Sequence, residues 1–206
     1  HSPKHLAPSG DLADGWLVFP WERETGPESA VMRLLEHIGE DPTREGLLDT
    51  PKRVIKALTE MTGGYALDPA TVLGTTFDEH SDEMVVLSGI RFSSMCEQHM
   101  LPFVGNATVG YVPDRSVVGL SKMARLVHMF AQRLQVQERM TTQIADAMWS
   151  ELRPLGVGVV IKGHHMCMGV RGVREPNAEM TTSAMMGIMK HSDAARAEFF
   201  QLANGH

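Results

Sequence analysis

The sequence predicts an α+β fold in which an antiparallel sheet is covered on one face by helices. Three observations lead there. Residues 83–92 and 106–112 are rich in Val, Ile, Thr and aromatics and are broken by turn residues; two long helical apolar stripes follow; and a second β-branched pair begins at residue 157. The resulting order of helices, two strands, two helices, two strands and a helix suggests this two-layer arrangement.

Taken in order, residues 1–27 carry scattered Pro and Gly with little periodicity and read as a flexible leader to a single domain, 28–206. From Glu28 the spacing of Val31, Leu34, Leu35 and Ile38 is helical, and Thr50-Pro51 starts a second helix with Pro at its first position. These make a small helical N-terminal part, 28–80, before a core at 81–206. The first strand pair flanks a turn that contains Cys96. The stripes Met123, Leu126, Val127, Phe130, Leu134 and Val136, Met140, Ile144, Met148 then predict two helices facing the sheet, the second closed by Pro154. Val157–Lys162 reads as a buried strand, with Met166–Val173 as its partner across a turn at Gly163-His164. A last helix spans roughly 193–203.

With 206 residues, 43% of them hydrophobic, the chain can bury a full core. Its net charge of -6 argues against a general nucleic-acid binder, so an anionic ligand would need a local basic pocket. No apolar run approaches the roughly 18 residues of a membrane span, and a cytoplasmic location is the default expectation. The 2 cysteines do not make a disulfide framework, and a reducing compartment would keep both available as metal-binding thiolates.

Both cysteines sit among metal-compatible residues: Cys96-Glu97-Gln98-His99 and His164-His165-Met166-Cys167-Met168. The spacing of Cys96 and His99 lets one tight turn aim a thiolate and an imidazole at the same ion, and Cys167 could close the set from a distant segment. Three protein ligands leave a fourth tetrahedral position open, which favours a catalytic over a structural zinc. A single Cys-x-x-His turn alone favours a buried free thiol beside a histidine; the second cluster brings the metal reading level with it. Elsewhere, Ser121, Lys122 and Arg125 open a predicted helix, where free N–H groups and the dipole favour an anion. The same residues also fit a Ser cap followed by solvated basic side chains. Glu138 heads the next helix, where a carboxylate is stabilised by the dipole in any case.

These segments resemble the GTP cyclohydrolase I family over about residues 28–203. The resemblance is carried by Gly46-Leu47-Leu48-Asp49-Thr50-Pro51-Lys52-Arg53-Val54, the Cys-Glu-x-His turn, Gly119-Leu120-Ser121-Lys122, Gln135-Val136-Gln137-Glu138-Arg139, and His165-Met166-Cys167-Met168 followed by Arg171-Gly172. It implies a tunnelling fold, in which antiparallel sheets of several subunits close into a barrel, with active sites at subunit interfaces of a homodecamer. It also implies zinc on Cys96, His99 and Cys167, a guanine-recognising carboxylate at Glu138 with Gln137 beside it, and triphosphate ligands at Arg53, Ser121, Lys122, Arg125 and Arg171. His165 matches a catalytic histidine. The implied reaction opens the imidazole ring of GTP, releases formate and yields 7,8-dihydroneopterin triphosphate, the entry to pterin and tetrahydrofolate biosynthesis and one-carbon metabolism.

One residue departs from the pattern: where the family reads Cys-Glu-His-His, this chain has Gln98. A carboxamide donates and accepts hydrogen bonds but does not titrate near neutrality, so it can orient a water or a ribose oxygen without serving as acid or base. Two alternatives follow. One is a specialised paralogue that stops at the formamidopyrimidine or takes another purine; the other is a non-catalytic zinc-binding subunit that regulates an active homologue.

Overall fold

The computed structural model describes residues 26–74, 76–77, 81 and 83–204, together with the backbone of two short strands, β1 (Asp11–Ala13) and β2 (Trp16–Val18). Those strands pair antiparallel within the expected leader, whose remaining residues up to 25 lie outside the described set. The chain divides into two compact units, residues 1–60 and 61–206.

In the first unit, α1 (Pro27–His37) starts with Pro at its N-terminus, where the missing N–H is harmless. None of its residues is buried, and Met32, Leu34 and Ile38 are 41%, 58% and 65% exposed. Next, α2 (Thr50–Met61) begins at the expected Thr-Pro and carries Lys52, Arg53 and Lys56 along one side.

The second unit opens with α3 (Pro69–Leu73), capped by Asp68, whose carboxylate accepts from Thr71 N at 3.0 Å. A small pair, β3 (Thr76–Phe77) and β6 (Val117–Val118), lies apart from the main sheet. That sheet has five strands in the order β7-β4-β5-β8-β9: β4 (Val85–Cys96), β5 (Pro102–Val112), β7 (Leu134–Gln135), β8 (Gly156–His165) and β9 (Glu179–Gly187). All neighbours are antiparallel except β4 and the two-residue β7.

Strand alternation assigns the layers. Ala107, Val109 and Tyr111 of β5 and Val157, Val159 and Ile161 of β8 are buried on one face. Against them pack α4 (Leu120–Ala131), through Met123, Leu126, Val127 and Phe130, and α5 (Gln137–Leu152), through Met140, Ile144 and Met148. Each such side chain contributes roughly 1.5–3 kcal/mol relative to exposure. The opposite face is largely polar, with a smaller cluster where α7 (Ile188–His191) and α8 (Asp193–Asn204) bring Met189 and Phe199 onto Val112 and Val160. Two paired glycines, Gly110 and Gly158, form the floor under Phe199: a Cβ on either would stand 2.8 or 3.0 Å from its ring.

Two sequence expectations need correction. The stripe through Leu134 is not one helix: α4 stops at Ala131, and Leu134–Gln135 turns to pair with Met95–Cys96. Nor does β8 turn at Gly163-His164. It continues to His165, and Met166–Gly169 then forms one helical turn, α6, while the partner of β8 is β9. Gly163 serves close approach rather than a bend, since a Cβ there would lie 2.6 Å from Gln137 Oε1.

Candidate metal and nucleotide site

Cys96 ends β4, and the chain reverses at once. Met100 N donates to Cys96 O at 2.8 Å and Cys96 N to Leu101 O at 2.9 Å, with Met100 in the left-handed region at φ 52. This tight reversal brings His99 Nδ1 to 3.8 Å from Cys96 Sγ. The antiparallel register then supplies the third donor. His165 lies opposite Phe103 at the start of β5, so the end of β8 stands beside the turn, and α6 carries Cys167 there. Donor atoms of Cys96, His99 and Cys167 all lie within 4.8 Å of one another.

This donor set suits a borderline-soft divalent cation. Burial pushes the Cys167 thiol up from its ordinary value, and the adjacent Cys96 sulfur pushes it the same way. A cation between the two sulfurs would offset that effect on Cys167. The residues present therefore fit a zinc ion.

Behind the donors, the His165 ring stacks on Phe103 with centroids 4.5 Å apart and planes within 4°, and its Nε2 lies 2.9 Å from Gln137 Oε1. Burial lowers the His165 pKa, Glu138 opposes this through its charge, and His164 adds to it. Glu138 itself is exposed in the first turn of α5. His164 follows strand alternation to the other face, where its Nε2 approaches Glu179 Oε2 at 3.5 Å. The turn is braced from outside. Glu97 N donates to Gln135 O at 3.0 Å, and its carboxylate pairs with Arg139, whose Nε also reaches Gln135 Oε1.

The family model for GTP cyclohydrolase I matches residues 27–204. The chain belongs to the GTP cyclohydrolase I family. Among curated relatives, "GTP cyclohydrolase 1" of Wolinella succinogenes is 50% identical over 86% of this chain and 96% of its own length. The protein of that name from Gloeobacter violaceus is 54% identical over 84% and 81%, and that from Corynebacterium glutamicum 51% identical over 91% and 95%.

Other residues matched to the GTP cyclohydrolase I motifs fall as follows. Ser121 and Arg125 are exposed and Lys122 half-buried in the first turns of α4. The cap position there is Gly119 and makes no side-chain hydrogen bond, so Ser121 is not the capping residue. Arg171 is exposed beyond α6. Arg53, in the first unit, pairs with Asp49 at 3.2 Å beside a surface hollow of about 240 Å³ also lined by Lys52 and Lys56. None of Ser121, Lys122, Arg125 and Arg171 shares a hydrogen bond or ion pair with the Cys96, His99 and Cys167 group among the described residues. Gln98 is exposed in the reversal between Glu97 and His99. Gln137 is fully buried, its side chain occupied by protein partners rather than turned outward. Phe103 and the Glu97–Arg139 brace carry no sequence signal of their own, because their roles exist only once β5, β8 and α5 are registered.

Proposed function

We propose that this protein is a zinc-dependent hydrolase that converts GTP and water to 7,8-dihydroneopterin triphosphate and formate, feeding pterin and tetrahydrofolate synthesis. The observation that carries the reading is the convergence of Cys96, His99 and Cys167 beside His165. When bound, zinc supplies a Lewis acid that activates water as a nucleophile near neutral pH. The rest falls to the chain's own groups. Glu138 accepts hydrogen bonds from the N1–H and 2-amino edge of guanine, a bidentate recognition that rejects bases lacking those donors. Arg53, Ser121, Lys122, Arg125 and Arg171 hold the triphosphate, and His165 accepts and returns a proton at the purine ring.

The same reading makes the working form a homo-oligomer, a decamer in this proposal, with sites completed between subunits. Two features support assembly: the uncovered apolar side of α1 and β9 at an edge of the sheet. A reducing compartment such as the cytoplasm would keep both thiols available for metal. Among the described residues no helix is long and apolar enough to cross a membrane.

Gln98 favours a second reading, in which the ring opens but the pterin is not completed. Chromatography of products from zinc-loaded protein and GTP separates the two: a fluorescent pterin supports the full reaction. A formamidopyrimidine, or turnover only of another purine nucleotide, supports the specialised paralogue.

A further inference from the structure

Gln137 occupies the first position of α5 and is wholly buried, yet every polar atom of its side chain has a partner. Its Nε2 lies 3.1 Å from Ile161 O, 2.9 Å from Met180 O and 3.1 Å from Thr182 Oγ1. Two of these are carbonyl oxygens, which only accept, so the amide nitrogen must face them. The hydroxyls agree. Thr141 Oγ1 donates to Gln137 O at 2.7 Å, Thr182 donates to Thr141 at 2.7 Å, and Thr182 is left to accept from the amide.

With the nitrogen so fixed, Oε1 is turned to His165 Nε2 at 2.9 Å. A carboxamide oxygen cannot donate, so the proton of this bond belongs to the imidazole. Stacking on Phe103 holds the ring plane, and glycine at 163 leaves the space that Oε1 fills. No protein group among the described residues hydrogen-bonds Nδ1.

We propose that Gln137 is the positioning residue of His165, fixing the ring through an Nε2–H to Oε1 hydrogen bond so that Nδ1 is the ring nitrogen presented to the substrate. Gln137 thereby acts through His165 and does not contact the base with its side chain. The inference rests on the reading of His165 as a catalytic residue above.

Neutron diffraction from deuterated wild-type crystals grown at mildly alkaline pH reads the tautomer without any variant. A deuteron on Nε2 alone, directed at Gln137 Oε1, is the expected result; a deuteron on Nδ1, on both nitrogens, or a flipped amide overturns the proposal. Kinetics supply the second arm. Gln137→Met keeps the length of the side chain but removes the acceptor, and kcat per bound zinc is expected to fall at least about tenfold with KM for GTP within about twofold. A raised KM with unchanged kcat would instead make Gln137 a substrate contact, and a lowered melting temperature with unchanged kcat would make it merely structural; either sinks the idea. If wild-type protein makes no product from GTP, the functional reading above fails, while the deuteron position still decides the tautomer.

Discussion

Arg139, in the first turn of α5, pairs with Glu97 in the reversal that carries Cys96 and His99. The helix that bears Gln137 and Glu138 is thus tied directly to the metal-binding turn. Both partners are more than a third exposed, so as an isolated ion pair it is worth only about 0–1 kcal/mol to stability. Its value lies in orientation. Removing a group that orients metal ligands typically weakens metal binding by about 10–100-fold. Arg139→Met should therefore lose zinc to a competing chelator about tenfold more readily, while its melting temperature moves by only a few degrees. A large thermal shift with unchanged zinc affinity would show the brace to be structural.

Gln98 offers a test of how much acid–base chemistry the reversal has surrendered. Its side chain is exposed, so a histidine can replace it without repacking a core. If one proton-transfer group is missing, Gln98→His should raise the rate of pterin formation by roughly 10²–10⁴-fold. The readout is pterin fluorescence, with formamidopyrimidine followed in parallel. An unchanged product profile would mean that position 98 takes no part in the chemistry.

The clustering of Cys96, His99 and Cys167 was legible in the sequence because sulfur and imidazole carry their chemistry whatever the backbone does. Cys96 and His99 needed only a turn, and Cys167 needed only the end of a strand. The strand after Cys167 was not legible. Met166–Val173 alternates as a strand would, yet Met166–Gly169 coils and Gly172 takes φ 61, whereas the true partner, β9, alternates polar and half-buried residues that look like surface. Helical stripes on α4 and α5 were clear from their buried faces, but the stop at Ala131 was not, since Leu134 keeps the period. Gln137 beside Glu138 reads as one motif, yet on successive positions of the first turn of α5 they face apart, one wholly buried under β8 and β9 and one exposed.

Phe199 predicts the strength of the second cluster. Its ring is fully buried on Gly110 and Gly158, and with no side chain on either glycine the sheet cannot collapse into the space it would vacate. Phe199→Ala should cost roughly 3–5 kcal/mol in urea unfolding, with zinc content unchanged because the metal donors belong to the other end of the sheet. A loss under about 1 kcal/mol would mean that α8 contributes little to the fold.

Assembly can be tested by complementation. On the proposed function, Lys122→Met would remove a triphosphate contact and Cys167→Ala a metal donor, so each variant alone should be nearly inactive. If a site draws Lys122 from one subunit and Cys167 from its neighbour, mixed oligomers contain some sites with both groups intact. For random mixing of equal amounts, that fraction is about a quarter, and refolding the two variants together should restore up to about that share of wild-type activity. Sites built within one subunit would gain nothing, because no subunit then carries both groups. Co-refolded protein no more active than either parent would therefore place the phosphate and metal residues in the same chain. The uncovered side of α1 and the free edge of β9 would then need another explanation.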